Sequence, residues 1–432
     1  MAGPTMRVTE LTASFRSGQL RIADYLDRLE SYFNEREPSV LSFIPEEGRF
    51  DRLQREAAQL IARYPNPDSR PPLFGVPVGV KDIFHVAGFT TRAGSKLPPE
   101  EFQGLEAESV TLLRNAGALI MGKTVTTEFA YFGPGPTRNP HNPEHTPGGS
   151  SSGSAAAVGA GLCPLTLGTQ TIGSVIRPAS FCGVVGFKPT YERISRAGVI
   201  PLSPSFDHVG LFASDVGGAY LAASALVRDW RLVTMKLHPT LGVPEGPYLE
   251  QASAEMLEHF RIACRKLIDA GYNLKSVNVM PDFAEIRERH YLVTAGDAFR
   301  VHKNWYPRYR ELYHPKTIEL LEKGRGVSDE GLAAGIKARD RLRYTLKLAM
   351  EKNGVDLWVS PSAVGPAPTG LEATGDPVMN LPWSQAGFPS INLPASRSAE
   401  GLPLGLQLIG RWFSDEALFE WAKEIENILH AV

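Results

Sequence analysis

Two serines and one lysine stand where they could act together in nucleophilic catalysis. Ser150 lies in the glycine–serine run 148–154, and Ser174 follows in a second glycine-rich segment. A serine is a weak nucleophile until a base removes its proton, and a lysine kept neutral by burial can be that base in place of histidine. Lys81 directly follows an apolar strand pattern. A lysine at the end of a strand more often carries a surface charge, so the pattern alone leaves that alternative open.

The first serine segment joins a loop to a helix. Residues 148–154 run directly into the alanine-rich residues 155–158, which are good helix formers. Loop amides and a helix N-terminus attract developing negative charge. A phosphate-binding loop would end in Gly-Lys-Ser or Gly-Lys-Thr, and because this ending is absent, nucleotide binding is disfavoured. A flexible linker is the competing interpretation, but linkers do not usually adjoin helices.

Helix and strand patterns alternate around these segments, which predicts an α/β fold. Apolar residues near a 3.6-residue period predict a helical layer over residues 1–63. Alternating β-branched residues predict a strand that ends at Lys81, and residues 283–350 have the charged and aromatic pattern of helices. Apolar runs within 355–425 predict strands that return to the same sheet. Because no repeat or low-complexity linker interrupts the chain, we expect a single domain over residues 1–432.

The composition is that of an ordinary globular protein and excludes several functional classes. Hydrophobic residues make up 43% and charged residues 21% of the chain, which excludes disorder as its main state. A formal net charge of −2 gives no bias toward nucleic acid or an anionic membrane. Three cysteines are too few for a disulfide framework or a four-cysteine zinc site. No apolar run reaches about 20 residues, so we expect a cytoplasmic protein without a membrane span.

The segments that contain Lys81, Ser150 and Ser174 together resemble the amidase signature family. This family has a lysine after an apolar strand, Gly-Gly-Ser-Ser before an alanine-rich helix, and a Gly-Thr-x-Thr-x-Gly-Ser turn followed by Pro-Ala. The resemblance covers a core of about residues 73–220 and the returning strands of about 355–425. It implies an α/β domain in which α-helices cover both faces of a large mixed β-sheet. The implied chemistry needs no metal and no organic cofactor. Further matching segments are 116–124, 181–190 and 402–410.

The resemblance implies a role for each reactive position. Ser174 would be the nucleophile, Ser150 the bridging serine on a cis peptide bond, and Lys81 the base that finally receives the proton. Ser151 would steady Lys81 through a hydrogen bond. An acyl-enzyme would form and then be hydrolysed by water. The oxyanion hole would consist of the backbone N–H groups of Thr171, Ile172, Gly173 and Ser174.

Three features depart from the commonest family pattern. Gln170 stands where aspartate is frequent, and Ile172 stands where glycine is frequent. Val-Ile-Arg at 175–177 replaces the usual Ile-Arg, and this version resembles a branch that includes malonamate-type amidases. In that branch an arginine binds the carboxylate of the substrate, so Arg177 is a candidate for binding a substrate carboxylate. An arginine that bonds loop carbonyls is an equally strong alternative.

The resemblance also implies the class of substrate, a small molecule that contains a non-peptide amide. Esters and aryl carbamates (urethanes) are further candidates. Aromatic residues near the variable segments could line an apolar acyl pocket, although packing in the core is the competing interpretation for each of them. A homodimer is plausible. The candidate substrate-binding residues, besides Arg177, are Tyr131, Phe132, Met379 and Trp383.

Other functional interpretations remain open. The glutaminase (A-type) subunit of a tRNA-dependent amidotransferase resembles the same family and works in a complex, although Gln170 and the divergent region 283–350 count against it. Residues 149–153 also fit the Gly-x-Ser-x-Gly elbow of α/β-hydrolases, which would make Ser151 the nucleophile. That mechanism needs a late histidine, for which the chain offers only His430. A noncatalytic binding protein is disfavoured because all three reactive positions are filled.

Overall fold

A ten-stranded β-sheet lies at the centre of the computed structural model, which describes residues 6–235 and 238–430. Residues 1–5 of the predicted N-terminal helical layer lie outside that range. The strands are β1 (Pro77–Lys81), β2 (Leu119–Thr124), β3 (Leu165–Gln170), β4 (Val185–Lys188), β5 (His208–Ala213), β6 (Leu241–Glu245), β7 (Leu274–Asn278), β8 (Leu357–Pro361), β9 (Ser390–Arg397) and β10 (Pro403–Ile409). Across the sheet they follow the order β2-β1-β3-β5-β4-β9-β10-β8-β6-β7.

Fourteen α-helices precede, connect or follow these strands within the described residues. None of them is long and apolar enough to cross a lipid bilayer. The helices are α1 (Val8–Ser17), α2 (Ile22–Val40), α3 (Arg49–Arg63), α4 (Glu108–Asn115), α5 (Ser152–Gly159), α6 (Ile176–Cys182), α7 (Val216–Leu226), α8 (Ala254–Asp269), α9 (Phe283–Val301), α10 (Tyr306–Tyr309), α11 (Pro315–Arg325), α12 (Asp329–Asn353), α13 (Leu381–Ala386) and α14 (Asp415–His430).

The sheet is mixed, with parallel strands at both ends and antiparallel strands between them. At one end β1 is parallel to both β2 and β3. At the other end β6 is parallel to both β7 and β8. The central pairs, from β3–β5 through to β10–β8, are antiparallel. The predicted α/β class with a large mixed sheet is therefore confirmed.

Helices cover both faces of the sheet because alternate strand residues point to opposite sides. In β2, Ile120 belongs to a hydrophobic cluster that includes residues of α7 and α14. Its neighbours Leu119 and Met121 belong to a second cluster, which includes residues of α2, α3 and α5. Helices α2 and α3 therefore pack on the face opposite the C-terminal helix α14.

A buried ion pair joins β2 to the residue after β1. Lys123 Nζ lies 2.8 Å from Asp82 Oδ1, and both side chains are at most 3% exposed. Lys123 Nζ also donates a hydrogen bond to the Phe84 carbonyl at 2.8 Å. The pair therefore fixes the chain next to Lys81, at the end of the strand.

Lys123→Met is expected to lower the free energy of unfolding by about 3–5 kcal/mol, because it leaves the Asp82 carboxylate buried without its partner. Urea-induced unfolding measures the change. Lys347→Met replaces an exposed lysine of α12 and is the matched control. We expect the control to change stability by less than about 0.5 kcal/mol. Equal losses in the two variants would contradict a structural role for the ion pair.

Candidate active site

The ends of neighbouring strands bring the reactive segments together. The parallel strands β1 and β3 end at Lys81 and Gln170, so both ends lie at one edge of the sheet. Residues 171–175 follow β3 and lead into α6. β5 is antiparallel to β3 and begins at the same edge, with His208 opposite Gln170. This topology places Lys81 beside the segment that contains Ser174.

Lys81 is fully buried and surrounded by three hydroxyl groups. Its Nζ lies 2.6 Å from Ser150 Oγ, 3.1 Å from Ser151 Oγ and 2.9 Å from Thr169 Oγ1. Burial lowers the pKa of Lys81 well below its ordinary value of 10.5, and the charge of Asp207 opposes this shift. A neutral amine has two N–H donors and one lone pair, so one of the three hydroxyls donates to it. The short distance makes Ser150 the best placed of the three to pass a proton to Lys81.

The loop that contains Ser150 docks closely against the chain that follows β2. The peptide bond between Gly149 and Ser150 is cis. In α5, the Gly153 N–H donates a hydrogen bond to the Val125 carbonyl at 2.9 Å. A Cβ atom at Gly153 would lie only 2.1 Å from the Ser42 carbonyl oxygen. Glycine is therefore needed for α5 to pack at the depth that places Ser150 beside the lysine.

Four consecutive backbone N–H groups in the loop that contains Ser174 donate no hydrogen bond within the described residues. The Gln170 side-chain oxygen accepts hydrogen bonds from the backbone N–H groups of Val175 and Ile176, and its Nε2 donates to Ser384 Oγ. Gln170 thus holds the end of the loop, and the four preceding N–H groups remain available to a developing oxyanion. The residues whose N–H groups donate to no group of the described chain are Thr171, Ile172, Gly173 and Ser174.

The Ser174 hydroxyl is also free. It forms no hydrogen bond with any residue between 6 and 235 or 238 and 430, and Ser174 is 8% exposed. Catalytic hydrogen bonds are often long until substrate binds. A free hydroxyl beside unpaired N–H groups has the arrangement that attack on a carbonyl requires.

Arg177 joins the two loops that contain the serines. Its guanidinium is buried and donates hydrogen bonds to the carbonyl oxygens of Gly149 and Gly375 and, at 3.2 Å, to Thr374 Oγ1. Burial lowers the pKa of Arg177 to about 10. The Gly149 carbonyl belongs to the cis peptide bond itself, so the guanidinium fixes the loop that contains Ser150. These contacts match the loop-carbonyl alternative for Arg177.

Arg177→Ala is expected to lower kcat/KM about 10- to 100-fold on neutral and carboxylate-bearing amides alike, because it leaves two buried carbonyls unpaired and loosens the loop before Ser150. Initial rates on two amides that differ only in a carboxylate group measure the effect. A rise in KM confined to the carboxylate-bearing amide would instead assign an anion-binding role to Arg177.

The Ser151 hydroxyl is hydrogen-bonded to Lys81 and to the backbone of Thr169. Besides its contact with Lys81, Ser151 Oγ donates to the Thr169 carbonyl and accepts from the Thr169 N–H, both at 3.2 Å. No histidine within the described ranges hydrogen-bonds to Ser151. His430 is exposed at the end of α14, whereas Ser151 is fully buried. The α/β-hydrolase alternative therefore lacks its histidine base.

The predicted substrate-binding residues other than Arg177 fall into two pairs. Met379 and Trp383 are fully buried, and Trp383 Nε1 donates a hydrogen bond to the Tyr248 hydroxyl at 2.8 Å. Their positions match the core-packing interpretation, because a buried indole that has a partner fills the interior. Tyr131 and Phe132 are half-buried, and their ring centroids lie 4.5 Å apart. These two remain candidates for a substrate pocket.

Sequence reasoning missed two polar residues of the site. Thr169 is the third hydroxyl partner of Lys81, and Asp207 accepts a hydrogen bond from Thr171 Oγ1 at 2.5 Å. Both line a cavity of about 540 Å³. The position of Thr169, one residue before the end of β3, was a usable signal. Asp207 adjoins His208, and because adjacent side chains of a strand point apart, the pair favours a structural role over a Ser/His/Asp triad. Its contact with Thr171 has no local signal, because that contact depends on how β5 pairs with β3.

The chain is similar to known proteins over nearly its whole length. The Amidase family pattern matches residues 22–419. The chain is 31% identical to the A-type subunit of the glutamyl-tRNA(Gln) amidotransferase of Syntrophobacter fumaroxidans, over 98% of this chain and 94% of that protein. It is 33% identical to the protein of the same name from Koribacter versatilis, over 88% and 90% of the two chains. A crystal structure described as an amidase superposes with a TM-score of 0.88 at 30% identity, over 98% of this chain and 99% of the other. The chain therefore belongs to the amidase family and is an amidohydrolase that acts on the carbon–nitrogen bond of amides.

Proposed function

We propose that the chain hydrolyses its amide through an acyl-enzyme formed on Ser174, with Ser150 as the proton relay and Lys81 as the base. The proposal is supported by the position of the buried Lys81, whose Nζ lies 2.6 Å from Ser150 Oγ. At the same sheet edge lie four backbone N–H groups that have no acceptor among the described residues. A neutral Lys81 can accept a proton at the pH where an exposed lysine cannot, because burial disfavours its charged form.

In the first half of the reaction, Ser174 Oγ forms a bond to the amide carbonyl carbon and its proton passes to Ser150 Oγ. The Ser150 proton passes in turn to Lys81 Nζ. The negative charge that develops on the carbonyl oxygen is stabilised by the free backbone N–H groups, a contribution of roughly 3 kcal/mol per donor. The carbon–nitrogen bond then breaks, and the departing nitrogen receives a proton from Ser150, which takes one back from Lys81.

In the second half, water replaces the departed amine. Its oxygen attacks the acyl carbon while its proton passes through Ser150 to Lys81. Breakdown of the second tetrahedral intermediate releases the carboxylic acid, and the proton returns to Ser174. The cycle restores all three side chains and needs only water as co-reactant.

For the finer activity, the named relatives support the glutaminase alternative better than a broad-range amidase. Both are A-type subunits of a glutamyl-tRNA(Gln) amidotransferase, and the similarity spans most of each chain. On this proposal the substrate is a primary carboxamide such as that of glutamine, the departing group is ammonia, and the chain works with partner subunits.

The second candidate is an independent amidase that acts on small amides, esters or aryl carbamates. It is supported by the solved amidase, which matches this chain at 30% identity over nearly the whole of both chains. Gln170, which stands where aspartate is frequent in the family, also favours this candidate. The Gln170 carboxamide donates a hydrogen bond to Ser384 Oγ and accepts hydrogen bonds from the two backbone N–H groups that follow Ser174.

Ammonia and acid release by the purified chain separates the two candidates. We would compare glutamine with a panel of unrelated aryl amides, esters and carbamates, each with and without a fractionated cell extract, and use Ser174→Ala as the background control. Glutaminase activity that is raised by the extract, without turnover of the panel, supports the glutaminase function within a complex. Turnover of several panel substrates by the isolated chain supports the independent amidase and counts against the partner requirement.

A further inference from the structure

Asp207 makes three hydrogen bonds at the catalytic edge of the sheet. Its Oδ1 accepts from Thr171 Oγ1 at 2.5 Å. Its Oδ2 accepts from the backbone N–H groups of Leu202 and Ser203 at 2.9 and 3.0 Å. The carboxylate therefore connects Thr171, the first residue of the segment 171–175 (called the oxyanion loop below), to the loop before β5. It uses different oxygens for the two contacts.

The loop that contains Asp207 is itself held by the helical region. Asp297 in α9 accepts hydrogen bonds from Ser203 Oγ at 2.6 Å and from the Ser205 N–H at 3.0 Å. The His290 ring, also in α9, stacks on Phe206 with centroids 4.3 Å apart. Asp207 thus has little freedom to move away from the oxyanion loop.

Asp207 also acts on Lys81 through its charge, because a nearby anion favours the protonated amine. Burial raises the pKa of Asp207 to about 6, while its hydrogen bonds oppose the rise, so the group is mainly ionised above neutral pH. Other titratable groups near Asp207 are Arg196, Tyr191 and the neighbouring His208. From α9, Asp297 and His290 contact the same loop. Burial lowers the pKa of His208 well below its ordinary value, so it adds no charge.

We propose that Asp207 is a positioning residue for the hydrolysis: its hydrogen bonds to Thr171 and to the loop before β5 hold Thr171 so that the oxyanion amides keep their direction. The inference rests on the proposed roles of Lys81 and Ser174. The charge of the same carboxylate is a second property, and its effect on the protonation of Lys81 is tested separately from the geometry.

Two substitutions separate the two effects. Asp207→Asn removes the charge but keeps the contacts, because the amide oxygen can accept from Leu202 and Ser203 while the NH₂ group donates to Thr171 Oγ1. Thr171→Val removes the side-chain hydrogen bond and keeps the charge. Asp215→Asn is the matched control. It replaces a buried aspartate that accepts from the Gly218 N–H just beyond the other end of β5.

The pH dependence of kcat and kcat/KM is the readout. Loss of the anion lowers the pKa of Lys81, so Lys81 stays neutral to lower pH. The acidic limb of kcat/KM in Asp207→Asn should therefore move down by about 0.5 to 1 pH unit. Thr171→Val should lower kcat about 10-fold without moving the limb. Asp215→Asn should change neither kcat nor the position of the acidic limb of kcat/KM.

An unshifted acidic limb in a folded, active Asp207→Asn enzyme would overturn the charge role, and an unchanged kcat in Thr171→Val would overturn the geometric role. Either result is distinguishable from failure of the proposed mechanism. If the mechanism were wrong, the wild-type chain itself would show no amide hydrolysis that depends on Ser174 and Lys81.

Discussion

Ser174→Ala is expected to abolish amide hydrolysis and to lower kcat/KM by roughly 10⁴- to 10⁶-fold. The substitution removes the oxygen that would bond to the acyl carbon, and the remaining groups can only polarise the substrate. Because the Ser174 hydroxyl has no hydrogen-bond partner within the described chain, its loss should barely change stability. Initial rates together with a thermal melt measure both effects.

Ser180→Ala is the matched control for this prediction. Ser180 lies in α6 close to Ser174 in the sequence, is buried, and its hydroxyl likewise lacks a hydrogen-bond partner within the described residues. We expect its variant to keep the wild-type rate. Full activity in Ser174→Ala would mean that another group attacks the substrate, and Ser151→Ala would then be the variant to measure.

Lys81→Met is expected to lower kcat by about 10³-fold, because it removes the base that the proposed mechanism requires to receive the Ser150 proton. Methionine has a similar length and is apolar, so the buried volume remains filled. In the wild-type enzyme, kcat/KM should rise with pH through the lowered pKa of Lys81. The residual kcat/KM of Lys81→Met should not show this rise with pH. A variant that keeps the wild-type pH profile would exclude Lys81 as the base.

The same variant should change how stability depends on pH. Between the lowered pKa of folded Lys81 and the ordinary value of 10.5, the unfolded chain binds the proton and the folded chain does not. Wild-type stability should therefore rise with pH in this range, by up to about 1.4 kcal/mol per pH unit from this group. That contribution should be missing in Lys81→Met. Urea-induced unfolding at several pH values below 10.5 measures the difference.

The sequence predicted those parts of the site that depend on local patterns. Lys81 follows a strand of β-branched residues, and Ser150 precedes an alanine-rich helix, so a strand end and a helix start could be read directly. The family and the α/β class with a mixed sheet are confirmed. These features are local in the chain or come from the resemblance, which is why they could be recognised without a structure.

Contacts between distant segments could not be predicted in this way. Asp207 reaches Thr171 only because β5 runs antiparallel to β3 and starts at the edge where β3 ends. Hydrophobic periodicity predicts which face of a strand is buried, but it does not predict which strands pair with it in a sheet. Aromatic residues posed a second difficulty, because the same side chains fill cores and line pockets. Trp383, a candidate for the pocket, is fully buried.

Fluorophosphonate labelling followed by mass mapping of the modified peptide tests whether Ser174 is the nucleophile and Lys81 its base. The probe reacts with a serine that a base has activated, so it reports the nucleophile without knowledge of the substrate. We expect a single tag on Ser174 in the wild-type chain and no tag in Lys81→Met. A tag on Ser151, or labelling of Ser174 that does not change when Lys81 is replaced, would contradict the proposed mechanism.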